Sequence, residues 1–396
     1  MLIYKKGNRL DPINYRGIAL MNCITKIFTT LIATRLKVWS EANQILPECQ
    51  AGFRPGRSCE DIIFSLQAKI ALATSKARKL YVAMVDFRRA FDSVDHTILW
   101  QSLYEAGVSA QIIKVLQSLY SRATMQVTIN AADKTGEIDV TEGVLQGDSL
   151  SPLIFIIFIR DIIPYFIKAG HINIVKAMEI LFFADDMSMS SYNVIDLQDK
   201  LNTLQRYCAE KRLKVNTSKT EIIVFNSGGR PKKITPIKYE GSTLNIVKHY
   251  KVLGIMFTSS GSFKTAADFA ISKGNIALGS IWQTLTLGKN TSWNTTRKLF
   301  DTTVASTVLY GSSIWGLNHI QEVERIQTSF YKRFLNLPRA TPGYMIRLET
   351  SSINLGKEIA LRAIRYWLKI IKMNNDRYPR KLYNQLLNLP TNTRKA

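Results

Sequence analysis

At 396 residues and 46% hydrophobic composition, the chain is long enough for two or three domains or one large multi-lobed one. Its formal net charge of +23 excludes an ordinary neutral globule and implies a polyanionic partner, either nucleic acid or an anionic membrane surface. Cys23, Cys49, Cys59 and Cys208 have no C-x-x-C spacing and no histidine cluster beside them, which argues against zinc or a disulfide framework and for a reducing compartment.

In chain order, the first six residues turn basic too soon for a secretory leader. Leu80–Val85 reads as a strand ending at Asp86, followed by a helical stretch to about Gly107. Segments 125–129 and 138–144 read as paired strands joined by a polar turn at 133–136. Ser149-Leu150-Ser151-Pro152 then opens a long apolar helix. Its run 153–159 is cut by Arg160, Asp161 and Pro164, so it is too short to cross a bilayer, and a soluble protein is predicted. Ile180–Phe183 and 187–191 flank Asp185 and Asp186, predicting a hairpin with two carboxylates at its tip. Leu197, Leu201, Leu204 and Cys208 form one helix face, and 220–225 returns as a strand. The loop 227–231 is a candidate lobe boundary. Short strands are predicted around 234–239 and 250–257, then helices from Phe263 with breaks near Gly288, Gly316 and 338–343.

Charge divides unevenly along the chain. Residues 1–200 carry 22 Lys and Arg against 20 Asp and Glu, whereas residues 201–396 carry 31 against 10. A catalytic lobe followed by a polyanion-gripping lobe fits this division. Basic clusters fall at Arg206, Lys211, Arg212 and Lys214, at Arg230, Lys232 and Lys233, and at Arg362, Arg365, Lys369 and Lys372. Any one of them alone is more simply a solvated face.

The two adjacent aspartates in Leu181-Phe182-Phe183-Ala184-Asp185-Asp186-Met187 are costly, because like charges repel and burial penalises both. A divalent cation would offset that cost. Asp86, at the end of its own strand, is the third acidic candidate. Three converging aspartates suit a pair of divalent ions roughly 3.5–4 Å apart, as used in phosphoryl and nucleotidyl transfer. The alternative is a solvated turn, which the bulky apolar surroundings weaken. Asp92 and Asp95 are read as structural carboxylates at a helix start.

Four segments, AMVDFRRAFDSVDH (83–96), VLQGDSLSPLIF (144–155), FFADD (182–186) and LKVNTSKTEIIVF (213–225), resemble in order and spacing motifs A to D of reverse transcriptases. The upstream segments 14–20 and Gln50-Ala51-Gly52-Phe53-Arg54 resemble the non-LTR, LINE-type retrotransposon branch. Segment 250–255 resembles the family's primer grip, and Leu309-Tyr310-Gly311 and Leu337-Pro338-Arg339 resemble the region that follows such polymerases.

The resemblance implies an α+β right-hand polymerase of fingers, palm and thumb, with an antiparallel ferredoxin-like palm sheet and a helical C-terminal region. Fingers and palm would span 1–258 and the helical thumb 259–396. Asp86 and Asp185 would be principal ligands of two Mg²⁺ ions, with Mn²⁺ as a substitute, and Asp186 would complete the triad with a less direct part. Lys219 would protonate the leaving pyrophosphate. Arg16, with Lys5 or Lys6 nearby, would meet the incoming triphosphate. Phe87, Phe91, Gln146 and Gly147 would line the nucleotide, with the Phe91 ring at the position that rejects a ribose 2′-hydroxyl. Leu253 and Gly254 would belong to the primer grip. RNA template, DNA primer or target DNA, and dNTPs are the implied partners, with no membrane, and the nucleus is the implied site of action. LINE-type polyproteins also carry an endonuclease and often a Cys/His knuckle, neither of which is evident, so a fragment or truncated copy is one expectation. Other reverse-transcriptase classes, and a non-catalytic RNA-binding remnant of a mobile element, are the competing readings.

Overall fold

The computed structural model describes residues 1–5, 7–128, 134–173, 175–226, 234–287 and 292–390. Two compact units are present. The first gathers Met1–Ser58, Tyr81–Ile222 and Lys232–Ile246, and the second Cys59–Leu80, Ile223–Pro231 and Val247–Ala396.

The chain opens with an antiparallel pair, β1 (Leu2–Tyr4) and β2 (Tyr15–Gly17), followed by helices α1 (Cys23–Ala42) and α2 (Cys59–Ser75). Strand β3 (Leu80–Val85) leads through α3 (His96–Glu105), α4 (Ala110–Ser121), the short pair β4 (Thr124–Met125) and β5 (Ile138–Asp139), α5 (Ser151–Phe158) and α6 (Ile162–Lys168). The hairpin β6 (Ile180–Phe183) and β7 (Asp186–Ser191) comes next, then α7 (Val194–Lys211) and β8 (Glu221–Phe225). Short strands β9 (Lys238–Tyr239), β10 (Ser242–Thr243) and β11 (Asn245–Val247) follow.

The central sheet has the order β11-β8-β3-β7-β6. Taken as first to fourth in chain order, β3, β6, β7 and β8 lie 4-1-3-2, the ferredoxin-like arrangement, and β7 is antiparallel to both β3 and β6. Every residue of β3 is buried, so its sequence Leu-Tyr-Val-Ala-Met-Val is apolar throughout rather than alternating. β7 is buried beyond its first residue although it is half serine. Two of its hydroxyls find acceptors: Ser190 donates to the Glu179 carbonyl and Ser191 to Asp196 Oδ2. Phe155, Phe158, Phe166 and Phe182 are fully buried in this unit, each contributing roughly 1.5–3 kcal/mol of transfer free energy.

Two local expectations change. The single long apolar helix is two short ones, α5 and α6, separated at 159–161. The break places Pro164 in the first turn of α6, where a missing N–H costs nothing. Asp161 in the break accepts hydrogen bonds from Tyr207 Oη and Lys211 Nζ, both at 2.8 Å. The helix after Asp86 begins only at His96, because 87–95 form turns with Arg89 at φ +49°. Asp95 is its N-cap, accepting the Ile98 N–H at 3.0 Å. That backbone N–H, with Arg212 at 2.5 Å, holds the Asp95 carboxyl below the usual carboxylate range.

The second unit contains α2, the hairpin β12 (His249–Val252) and β13 (Ile255–Thr258), and a helical remainder. The helices are α8 (Lys264–Leu287), α9 (Trp293–Leu299), a π-helical stretch Phe300–Ala305, α10 (Ser306–Val308), α11 (Ser312–Trp315), α12 (Ile320–Phe334), α13 (Gly343–Thr350), α14 (Leu355–Lys372) and α15 (Tyr378–Leu387). Phe257, Phe300, Trp315, Phe330 and Ile359 are buried in it. Asp61 on α2 is 3% exposed and accepts from Lys369 Nζ (3.0 Å) on α14 and Arg377 Nη2 (2.9 Å) just before α15. This arrangement stitches three helical segments together.

The basic clusters are therefore not uniform surfaces. Lys211 is buried against the Phe158 and Tyr207 rings, Arg212 pairs with Asp95, Arg362 donates to the Leu309 carbonyl, and Lys369 is committed to Asp61. Arg230, Lys232 and Lys233, together with the predicted loop 227–231, lie outside the described residues, as do the predicted break at Gly288 and part of the turn 133–136. No helix among the described residues is long and apolar enough to cross a membrane.

Candidate active site

Asp86 directly follows β3, and its backbone is held by the segment before β8. Its carbonyl accepts the Asn216 N–H at 2.7 Å, and its N–H donates to Thr220 Oγ1 at 3.2 Å. One residue on, Arg88 N–H donates to the Lys214 carbonyl at 2.7 Å. The antiparallel register pairs Val85 with Met187, so the next step along each strand sets Asp86 across from Asp186. Phe183 pairs with Asp186, leaving Ala184 and Asp185 as the two-residue turn. Ala184 sits at φ +60°, a left-handed conformation costing an alanine roughly 1–2 kcal/mol.

Partial burial, then the charges of Asp185 and Asp86, push the Asp186 carboxyl from 3.8 up to about 6. Its surface nonetheless reaches water, which screens part of that effect. Lys219 Nζ lies 3.8 Å from Asp86 Oδ2 and is 61% exposed, a contact worth little to stability.

Three carboxylates crowding one another are hard oxygen donors suited to Mg²⁺ or Mn²⁺. Among the described residues, no group of three or more His, Cys, Asp or Glu is gathered tightly enough to hold an ion unaided. A cation that completes its shell with water and substrate phosphate fits such an open set.

The nucleotide-side candidates lie in the same unit. Phe91 stacks on Phe155 with centroids 4.5 Å apart, and its carbonyl accepts the Val144 N–H at 2.7 Å. Phe87 is 8% exposed and bridges to Val215. Gln146 Nε2 donates to Asp92 Oδ1 at 2.9 Å. Asp92 is thus not a helix cap, as the sequence suggests, but a partner of Gln146. Gly147, at φ +115°, passes the Ala19 carbonyl where a Cβ would come within 2.7 Å. The backbone of Arg16 pairs with Ile3 in the β1–β2 ladder. Its side chain lies outside what the structure describes, as does Lys6. A cavity of about 1350 Å³ opens beside Gln146, lined also by Ala19, Asp92 and Asp148, but not by the three aspartates.

Three supporting residues lie in the recognised segments, but the sequence assigns none of them a role. Thr220 caps the Asp86 backbone. The Gln50 side chain is buried and bonds both polar groups of the Ala184 peptide, with Oε1 to N–H at 2.9 Å and Nε2 to the carbonyl at 3.0 Å. In the second unit, Leu253 (φ +44°) and Gly254 (φ +89°) form the two-residue turn joining β12 to β13, and Tyr310 Oη donates to the Leu253 carbonyl at 2.9 Å. The Gln50–Arg54 segment and the Tyr310-Gly311 pair were the available signals, but neither names its partner.

Residues 3–257 match the family model described as reverse transcriptase (RNA-dependent DNA polymerase). The chain belongs to the reverse transcriptase family. Reverse transcriptases generally use divalent metal ions, in keeping with the carboxylate set. The chain is 25% identical over 377 residues to a probable RNA-directed DNA polymerase from transposon BS of Drosophila melanogaster, covering 92% of this chain and 41% of that protein. It is 25% identical over 394 residues to the Pol polyprotein of the type-2 retrotransposable element R2DM of Drosophila melanogaster, covering 95% and 35%. It therefore spans less than half the length of these relatives. Among solved structures, telomerase from Candida albicans in complex with a TWJ fragment of telomeric RNA aligns over 83% of this chain and 59% of that one, at 12% identity and a TM-score of 0.46.

Proposed function

We propose that this chain is the RNA-directed DNA polymerase of a non-LTR retrotransposon, adding dNTPs to the 3′-hydroxyl of a DNA primer or target strand on an RNA template. The observation that carries the reading is the convergence of Asp86, at the end of β3, with Asp185 and Asp186 at the tip of the β6–β7 hairpin. Asp86 and Asp185 would hold two Mg²⁺ ions, with Mn²⁺ able to replace them, and Asp186 would contribute charge beside them. Bound there, the ions supply Lewis acidity toward the primer hydroxyl and the triphosphate.

The protein side chains position and polarise. Lys219, whose Nζ lies 3.8 Å from Asp86 Oδ2, serves the departing pyrophosphate as proton donor. The Phe91 ring, backed by Phe155, crowds the sugar and favours deoxynucleotides. Phe87, Gln146 and Gly147 line the incoming nucleotide, and Arg16 meets its phosphates. The turn at Leu253 and Gly254 supports the primer end. A nuclear site of action accords with insertion into chromosomal DNA.

The test is primer extension on poly(rA)/oligo(dT) with Mg²⁺, comparing wild type with Asp185→Asn. Incorporation is expected to fall to background with the circular dichroism spectrum unchanged. An Asp185→Asn protein that still extends the primer refutes the site.

A further inference from the structure

The turn that carries the carboxylates is not held by its own strands alone. Ala184 occupies a conformation alanine disfavours, yet its peptide is gripped from a segment 134 residues away in sequence. Gln50 Oε1 accepts the N–H groups of both Ala184 (2.9 Å) and Gly52 (2.8 Å), while Gln50 Nε2 donates to the Ala184 carbonyl (3.0 Å). The Gln50 residue is 2% exposed, so no water competes for these bonds. The backbone is latched as well: Phe182 N–H donates to the Cys49 carbonyl and Ala51 N–H to the Phe182 carbonyl. Gly52 lies so close that a Cβ there would come within 2.3 Å of the Ala184 nitrogen. From the far side, Arg54 fixes the segment by donating to the Pro47 and Gln50 carbonyls and to Glu41.

Only an amide meets this demand. The Ala184 peptide presents one donor and one acceptor, and glutamine answers both from one planar group. Ionised glutamate would set an acceptor against the Ala184 carbonyl and add a negative charge beside Asp185 and Asp186. An apolar residue would leave buried backbone groups without partners.

We propose that Gln50, with Gly52 beneath it, is a positioning residue that locks the Ala184 peptide and thereby sets how Asp185 and Asp186 are presented to divalent cations. This rests on the reading of Asp86, Asp185 and Asp186 as the cation site. Groups that orient metal ligands without touching the metal commonly govern affinity by about 10–100-fold.

The experiment compares wild type, Gln50→Ala, Gln50→Glu and Asp185→Asn in the full chain. Mn²⁺ binding without nucleic acid is read by electron paramagnetic resonance, and primer extension is titrated with Mg²⁺. Both Gln50 variants are expected to need about 10–100-fold more Mg²⁺ for half-maximal extension and to bind Mn²⁺ correspondingly more weakly. Their kcat should fall while KM for primer–template stays within about twofold, a split that a merely structural defect does not give. Gln50→Glu preserves shape and two of the three bonds, so it decides the question if Gln50→Ala does not fold. Wild-type Mg²⁺ dependence and kcat in a folded Gln50→Glu protein overturn the proposal alone. A wild-type chain that neither binds Mn²⁺ nor extends a primer overturns the cation-site reading, and the proposal with it.

Discussion

Replacing Gly254 with alanine imposes two separable costs on the turn between β12 and β13. At φ +89° an L-residue is strained by roughly 1–2 kcal/mol. The new Cβ would also stand 2.8 Å from Tyr310 Cε1, so the ring must move, weakening the 2.9 Å hydrogen bond from its hydroxyl to the Leu253 carbonyl, worth about 1 kcal/mol. Together these predict a loss of roughly 2–3 kcal/mol, measurable by urea unfolding. Tyr310→Phe removes only the hydroxyl and should cost about 1 kcal/mol. The double variant should cost less than the sum, because both changes act on the same ring contact. If the turn serves the primer end, Gly254→Ala should raise KM for primer–template more than it lowers kcat. A Gly254→Ala protein within about 0.5 kcal/mol of wild type, a change typical of an inconsequential surface site, would refute the reasoning.

Two further outcomes are expected. In EDTA, Asp186→Asn should stabilise the protein at pH 7.5. The folded Asp186 carboxyl titrates near 6 rather than 3.8, so the native state holds more protons and wild type loses stability as pH rises through that interval. The melting-temperature advantage of the variant should therefore shrink as pH falls through 6 and vanish below about 4, and a pH-independent difference would contradict the carboxylate crowding. The proposed RNA binding, resting on an excess of 21 basic charges in residues 201–396, should weaken steeply between about 50 and 200 mM salt in gel-shift titrations. A flat response would remove the electrostatic basis for it.

Where the chain's local chemistry decides, its reading and the structure agree. The apolar runs that become β3 and β6, the hairpin that lifts Asp185 and Asp186, and the glycine stop at 107 all follow from neighbouring residues competing for burial and backbone bonds. The motif order also led to the palm strand order. The helix break at 159–161 was half legible: Pro164 announced it, but Tyr207 and Lys211, which satisfy Asp161 there, come from α7.

Basic residues were the least legible, because charge alone does not say whether a cation faces water or a buried carboxylate. Lys211, Arg212 and Lys369 all find internal acids, at Asp161, Asp95 and Asp61. By itself, then, the sequence determined which carboxylates exist, that they lie at strand ends, and that the chain belongs to the reverse transcriptase family. Only the tertiary structure decided that Gln50 grips Ala184, that Thr220 caps Asp86, and that Gln146 answers Asp92. Each of these is a bond between groups 54 or more residues apart. Hydrophobic periodicity carries no information about such pairings, which exist only once the sheet has brought the segments within hydrogen-bonding reach.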